Sequence, residues 1–136
     1  MTTGPVTAAE VTHLVETARD VCRRLDPVAI GLHEVPAVFD ALTTLERLAG
    51  GAVLRMAARY EEAGQWKRNG AKSPEDDISR KTGTGTGQAR RKLATSKRLG
   101  KQPKTDTAVR NGEVSPEQAN EVSAGPRPPP PTRTTC

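Results

Sequence analysis

Residues Pro36 to Met56 read PAVFDALTTLERLAGGAVLRM, and the spacing of their apolar and small side chains decides the fold class. Val38, Leu42, Leu45, Ala49, Ala52 and Met56 recur at alternating steps of four and three residues, the heptad seam of a helix that packs along its length. Pro36 suits the first helical position, where its missing N–H has no partner to lose. Gly50-Gly51 falls in the middle of the seam, where each glycine weakens a helix by about 1 kcal/mol relative to alanine. Glycines there mark either a close helix–helix approach or a kink. The seam packs either within the chain, in an antiparallel hairpin, or between two chains as a dimer stem over residues 38–56.

The intramolecular partner lies just upstream. Thr7-Ala8-Ala9-Glu10 has the form of a capping box. Val11, Leu14, Val15, Ala18, Cys22 and Leu25 then follow one helical face until Pro27 stops it. Cys22 belongs to that face and reads as a small buried hydrophobe.

Downstream, Gln65-Trp66-Lys67-Arg68-Asn69-Gly70 reads as a polar connection with one aromatic anchor. Ser73-Pro74-Glu75 starts a short helix that Thr82-Gly83-Thr84-Gly85-Thr86, a turn by composition, brings to an end. A further helix is predicted from about Gly87 to Leu99, and another from Pro103 to Arg110. Ser115-Pro116-Glu117-Gln118 opens the last one. No run of β-branched residues supports a strand. The fold expected is all-α, a helical domain over residues 7–124. Two long antiparallel helices over 7–63 precede a basic helix-turn-helix-like segment over 73–101 and short helices over 103–124. The proline-rich stretch 125–136 is expected to be a disordered tail.

Composition narrows the function. The 136 residues are 34% hydrophobic and hold three aromatics, Phe39, Tyr60 and Trp66, which excludes a large packed core. Two cysteines, Cys22 and Cys136, build no disulfide framework. Arg47, Arg55 and Arg59 interrupt the best candidate for the roughly 18–20 apolar residues of a membrane span. The first residues lack a basic segment followed by an apolar one. A soluble, cytoplasmic, reduced protein is the expectation.

The net charge of +5 is unevenly spread. Residues 1–63 hold six Lys/Arg against nine Asp/Glu (net −3), and residues 64–136 hold fifteen against seven (net +8). Arg80 to Lys104 contains nine basic residues and no acidic one. A local basic block points to a polyanionic partner. A short helix, a glycine-bearing turn of five residues and a basic helix have the layout of a helix-turn-helix. Arg90, Lys97 and Lys101 follow an outer face, with Arg91 and Arg98 flanking it as phosphate contacts. Gln88 and Arg91 lie near the end that reaches base edges. The alternative is a merely solvated helical face.

Catalysis finds little support. Gly83-x-Gly85-x-Gly87 lacks the preceding strand and the spacing of a phosphate loop. His13 and His33 have no neighbours at metal-ligand spacing, and Asp76-Asp77 reads as first-turn acids. Cys136 has no basic partner to activate it. No catalytic, cofactor-binding or metal-ligating residue is assigned.

The runs Gly70-Ala71-Lys72-Ser73, Ile78-Ser79-Arg80-Lys81-Thr82-Gly83-Thr84 and Gln88-Ala89-Arg90-Arg91-Lys92-Leu93 resemble the actinobacterial domain of unknown function 222, also seen in mycobacterial repeat-encoded proteins. Gln102-Pro103-Lys104, Ala108-Val109 and Asn111-Gly112-Glu113-Val114-Ser115-Pro116-Glu117-Gln118-Ala119 are similar to a later segment of that family. The resemblance covers roughly residues 10–124. It implies a helical domain that commonly precedes an HNH endonuclease, whose His-Asn-His residues bind a divalent metal and activate water. No HNH motif occurs in this sequence, so the resemblance implies a non-enzymatic fragment, cut short before the nuclease, and the basic helix over residues 87–101 is what is expected to contact DNA. The alternative is a helical interaction or dimerisation module with no nucleic-acid binding.

Overall fold

A computed structural model describes residues 4–125. The sequence-based reading of the tail falls, from residue 126 onward, outside them. Among the described residues there are seven α-helices, one 3-10 helix and no strand. No helix among them is long and apolar enough to cross a membrane. The chain divides between Phe39 and Asp40 into two compact units.

In the first unit, α1 (Ala8–Arg24) starts where Thr7 Oγ1 accepts the backbone N–H of Glu10 at 3.2 Å, a side-chain cap for one of the orphan donors. Arg23 and Arg24 lie in its last turn, the favourable end of the helix dipole for cations. Asp26 caps a 3-10 helix over Pro27–Ala29. No residue of α1 is buried, and Val11, Leu14, Val15 and Leu25 stand exposed. Cys22, expected to be buried on that face, is exposed as well. Apolar periodicity marks a helical face but carries no information about what covers it.

α2 (Val35–Ala63) continues without interruption through Gly50-Gly51. In the second unit its buried residues are Gly51, Leu54 and Ala57, not the predicted seam. At roughly 100° per residue these lie on the side of the helix opposite Leu45, Ala49, Ala52 and Met56. Leu45 is 39% and Met56 58% exposed, while Val38 and Leu42 are half-buried. Gly51 admits a neighbour at close range, because a Cβ there would meet Val109 Cγ1 at 2.9 Å and the Val109 carbonyl oxygen at 3.0 Å. Of the two readings of the glycine pair, close approach is the one realised.

The remaining helices are α3 (Gln65–Arg68), α4 (Pro74–Thr82), α5 (Thr86–Leu99), α6 (Pro103–Arg110) and α7 (Pro116–Ser123). Local signals account for most of their ends. Ser73 caps α4 ahead of Pro74 and three first-turn acids, and Ser115 with Gln118 forms a complete capping box on α7. The connection expected over residues 65–70 is in part a helical turn.

α5 is central to the packing of this unit. Leu99 joins Leu54, Val109 and Ala119 in one apolar cluster, with Val114 against it. Ala89 and Leu93 join Ala57 and Ile78 in a second cluster, with Tyr60 against it. Burying a leucine such as Leu54 stabilises by about 1.5–3 kcal/mol. A core this small leaves the outward face of α5 as surface.

Candidate nucleic-acid interface

The connection between α4 and α5 is three residues long, Gly83 to Gly85, not the five expected from composition, because Thr82 and Thr86 each extend a helix. Gly83 ends α4 at φ 70°, a left-handed conformation open to glycine at little cost. Across the turn the Ser79 hydroxyl donates to the Thr84 carbonyl. Thr82 Oγ1 and Thr84 Oγ1 lie 2.8 Å apart. These bonds fix the direction in which α5 leaves α4.

The six residues singled out in the sequence fall into four settings. Arg90 and Lys101 are exposed, with no charged or hydrogen-bonding partner among the described residues. Lys97 is exposed and pairs with Glu61 at 3.4 Å, a surface pair worth at most about 1 kcal/mol. Gln88 and Arg91 are exposed but line a groove with Lys92, facing Glu117, Asn120 and Glu121 of α7. Lys104, at the start of α6, adds an exposed, unpaired cation not singled out before.

Arg98 belongs to the fold. It is half-buried, and its Nε donates to Ser123 Oγ at 3.0 Å. One terminal nitrogen donates to Thr95 Oγ1 at 3.1 Å and to Asn120 Oδ1 at 3.0 Å. Thr95, fully buried, donates to the same Asn120 oxygen at 2.8 Å. Its guanidinium therefore ties α5 to α7 and is not presented as a flanking phosphate contact. The planar fork suits several acceptors at once.

Sequence reasoning missed a second polar cluster. Asp77, read as one of the first-turn acids, is buried. The Tyr60 hydroxyl donates to Asp77 Oδ2, and Asn69 Nδ2 lies 3.3 and 3.2 Å from the two carboxylate oxygens. The Tyr60 hydroxyl holds the Asp77 carboxyl below its ordinary range, helped by Asn69 and by the charges of Lys81 and Arg80. The same bond, with burial, pushes the Tyr60 hydroxyl up to about 12. Lys81 Nζ stands 5.9 Å from the centre of the Tyr60 ring, within cation–π range. Asp76, by contrast, faces outward, paired with Arg80 at 3.0 Å. The available signal was the tyrosine one turn beyond Ala57, on the face that α4 covers.

Among the described residues, no group of three or more His, Cys, Asp and Glu is arranged to hold a metal ion. Comparison of the chain with protein-family models, curated proteins and solved structures gave no match.

Proposed function

We propose that this chain contacts duplex DNA in the cytoplasm through the outer face of α5. In keeping with its resemblance to the actinobacterial domain of unknown function 222, it is the non-catalytic helical companion of an HNH endonuclease. The observation that carries this reading is the set of cations at Arg90, Arg91, Lys101 and Lys104. All four are exposed and have no acidic hydrogen-bond or ion-pair partner among the described residues. Arg90 and Arg91 lie on α5, whose other side is packed by Ala89, Leu93 and Leu99, while Lys101 follows its end and Lys104 lies in the first turn of α6.

Unpaired guanidinium and ammonium groups bind phosphates with release of condensed counterions, and that gain is available to any duplex. A connection of three residues between α4 and α5 is within the usual length for helix-turn-helix units. Gln88 and Arg91, in the first half of α5, have the chemistry to read base edges.

Binding of the full chain to a labelled duplex, followed across salt concentrations, tests the reading. Three to four phosphate contacts give a log–log slope of roughly −3, at about −0.9 per contact. Replacing Arg90, Arg91 and Lys101 together with alanine flattens that slope. Affinity indifferent to salt and to these substitutions overturns the proposal. A second reading, an interaction module working through residues 38–56, is favoured by the exposed stripe of Leu45 and Met56 on α2.

A further inference from the structure

A groove of about 280 Å³ lies between α5 and α7, inside the second unit. Its two walls carry opposite charge. Arg91 and Lys92 stand on the α5 wall, Glu117 and Glu121 on the α7 wall, and Leu54 and Pro116 add apolar lining. Although they share one cavity, Arg91, Lys92 and Glu117 form no ion pair or hydrogen bond among the described residues. Packing fixes the spacing of the walls. Arg98 and Thr95 tie α5 to Asn120 and Ser123, and Pro116 lies close over Gly50 of α2.

One polar group of the groove is already oriented. A guanidinium only donates, so the Asn120 atom that meets Arg98 at 3.0 Å and Thr95 Oγ1 at 2.8 Å is the amide oxygen. The amide plane is thereby set, and Nδ2 has no partner among the described residues. Because no buried side-chain nitrogen or oxygen among them lacks a partner, that Nδ2 is open to solvent. A donor held in place by its neighbours gives up little freedom when a ligand arrives.

We propose that the groove between α5 and α7 binds a small zwitterion, one carboxylate and one primary ammonium joined by a short aliphatic linker. The carboxylate goes to Arg91 and the Asn120 amide, where charge-assisted hydrogen bonds are available, and the ammonium goes to Glu117. A simple anion meets the repulsion of the α7 carboxylates, and a simple cation meets that of Arg91 and Lys92. A molecule with both charges satisfies both walls. The inference stands whether or not the chain binds a duplex.

Titration of the full chain with glycine, γ-aminobutyrate and ε-aminohexanoate, followed by amide chemical shifts, is the test. At least one of the three saturates, while acetate and methylammonium each bind weaker by about tenfold or more, having lost one charge-assisted contact. Arg91 and Glu117 are exposed, so Arg91→Gln and Glu117→Gln leave the melting temperature in place and each weaken binding by about tenfold. Asn120→Asp keeps an acceptor for Arg98 and Thr95 but exchanges the free donor for a second carboxylate oxygen, so the chain stays folded and binding is lost. Absence of saturation with all three compounds overturns the inference. Binding that acetate or methylammonium matches overturns it too, as does binding that survives both Arg91→Gln and Glu117→Gln.

Discussion

The Tyr60 hydroxyl donates to the buried carboxylate of Asp77, joining the last turns of α2 to the first turn of α4. Asn69, between the two helices in sequence, brings its amide to both carboxylate oxygens. An acid at the base of the most basic segment is thereby held charged and hydrogen-bonded, which is the condition for burying it at tolerable cost.

That bond gives a titration prediction. The hydroxyl is raised to about 12 from an ordinary value near 10. Its contribution to stability is therefore full below pH ~10 and is lost as pH rises through about 12. Asp77 is shifted the other way, so its contribution is present above the ordinary carboxylate range and lost as pH falls through its lowered value. Tyr60 is the only tyrosine of the chain, so ultraviolet absorbance against pH reports it alone. A midpoint near 10 in the folded protein counts against the contact.

Tyr60→Phe at neutral pH removes one donor from the carboxylate and keeps the ring against Ile78 and Ala57. The loss is about 1–3 kcal/mol, the cost of leaving a buried acceptor short of a partner. Urea denaturation measures it, and a variant as stable as the wild type shows that the hydroxyl adds nothing.

Neighbouring glycines in α2 predict opposite outcomes. Gly51→Ala drives a methyl into Val109 Cγ1 and the Val109 carbonyl oxygen, and backbone on α6 has little room to yield. The expected loss is about 1–3 kcal/mol, despite the better helix propensity of alanine. At Gly50 the nearest atom is Pro116 Cγ at 3.1 Å, which yields by a small shift. Gly50→Ala is expected to lie within ~1 kcal/mol of the wild type, because the propensity gain offsets the contact. Parallel thermal melts decide, and equal melting points for the two variants sink the close-approach account.

Local chemistry was readable and tertiary assignment was not. Ser73-Pro74, Ser115-Pro116-Glu117-Gln118 and Gly83 act within a few residues of themselves, so the ends of α4 and α7 lie where the caps put them. Pro103 to Arg110 was bounded correctly for the same reason. The buried side of α2 was misread because that helix is apolar on two opposite sides, and the pattern of Leu45 and Met56 is more regular than that of Gly51, Leu54 and Ala57. Arg98 looked like Arg90 in sequence. Its difference comes from Asn120 and Ser123, more than twenty residues away in α7, a distance no helical periodicity reports.

Those two arginines give the prediction that bears most directly on function. Arg98→Ala strips donors from Ser123, Thr95 and Asn120 at the contact of α5 with α7. It should lower stability by about 1.5–3 kcal/mol, the range for hydrogen bonds to a charged group. Arg98→Lys recovers only part, because an ammonium cannot copy the planar fork. Arg90→Ala removes an exposed side chain with no partner among the described residues, so stability changes by less than about 0.5 kcal/mol. On a duplex the order reverses. At a temperature where both variants remain folded, Arg90→Ala reduces the magnitude of the salt slope by about 0.9, and Arg98→Ala leaves it at the wild-type value. A slope lowered by Arg98→Ala and untouched by Arg90→Ala defeats the assignment made from the exposed, unpaired cations.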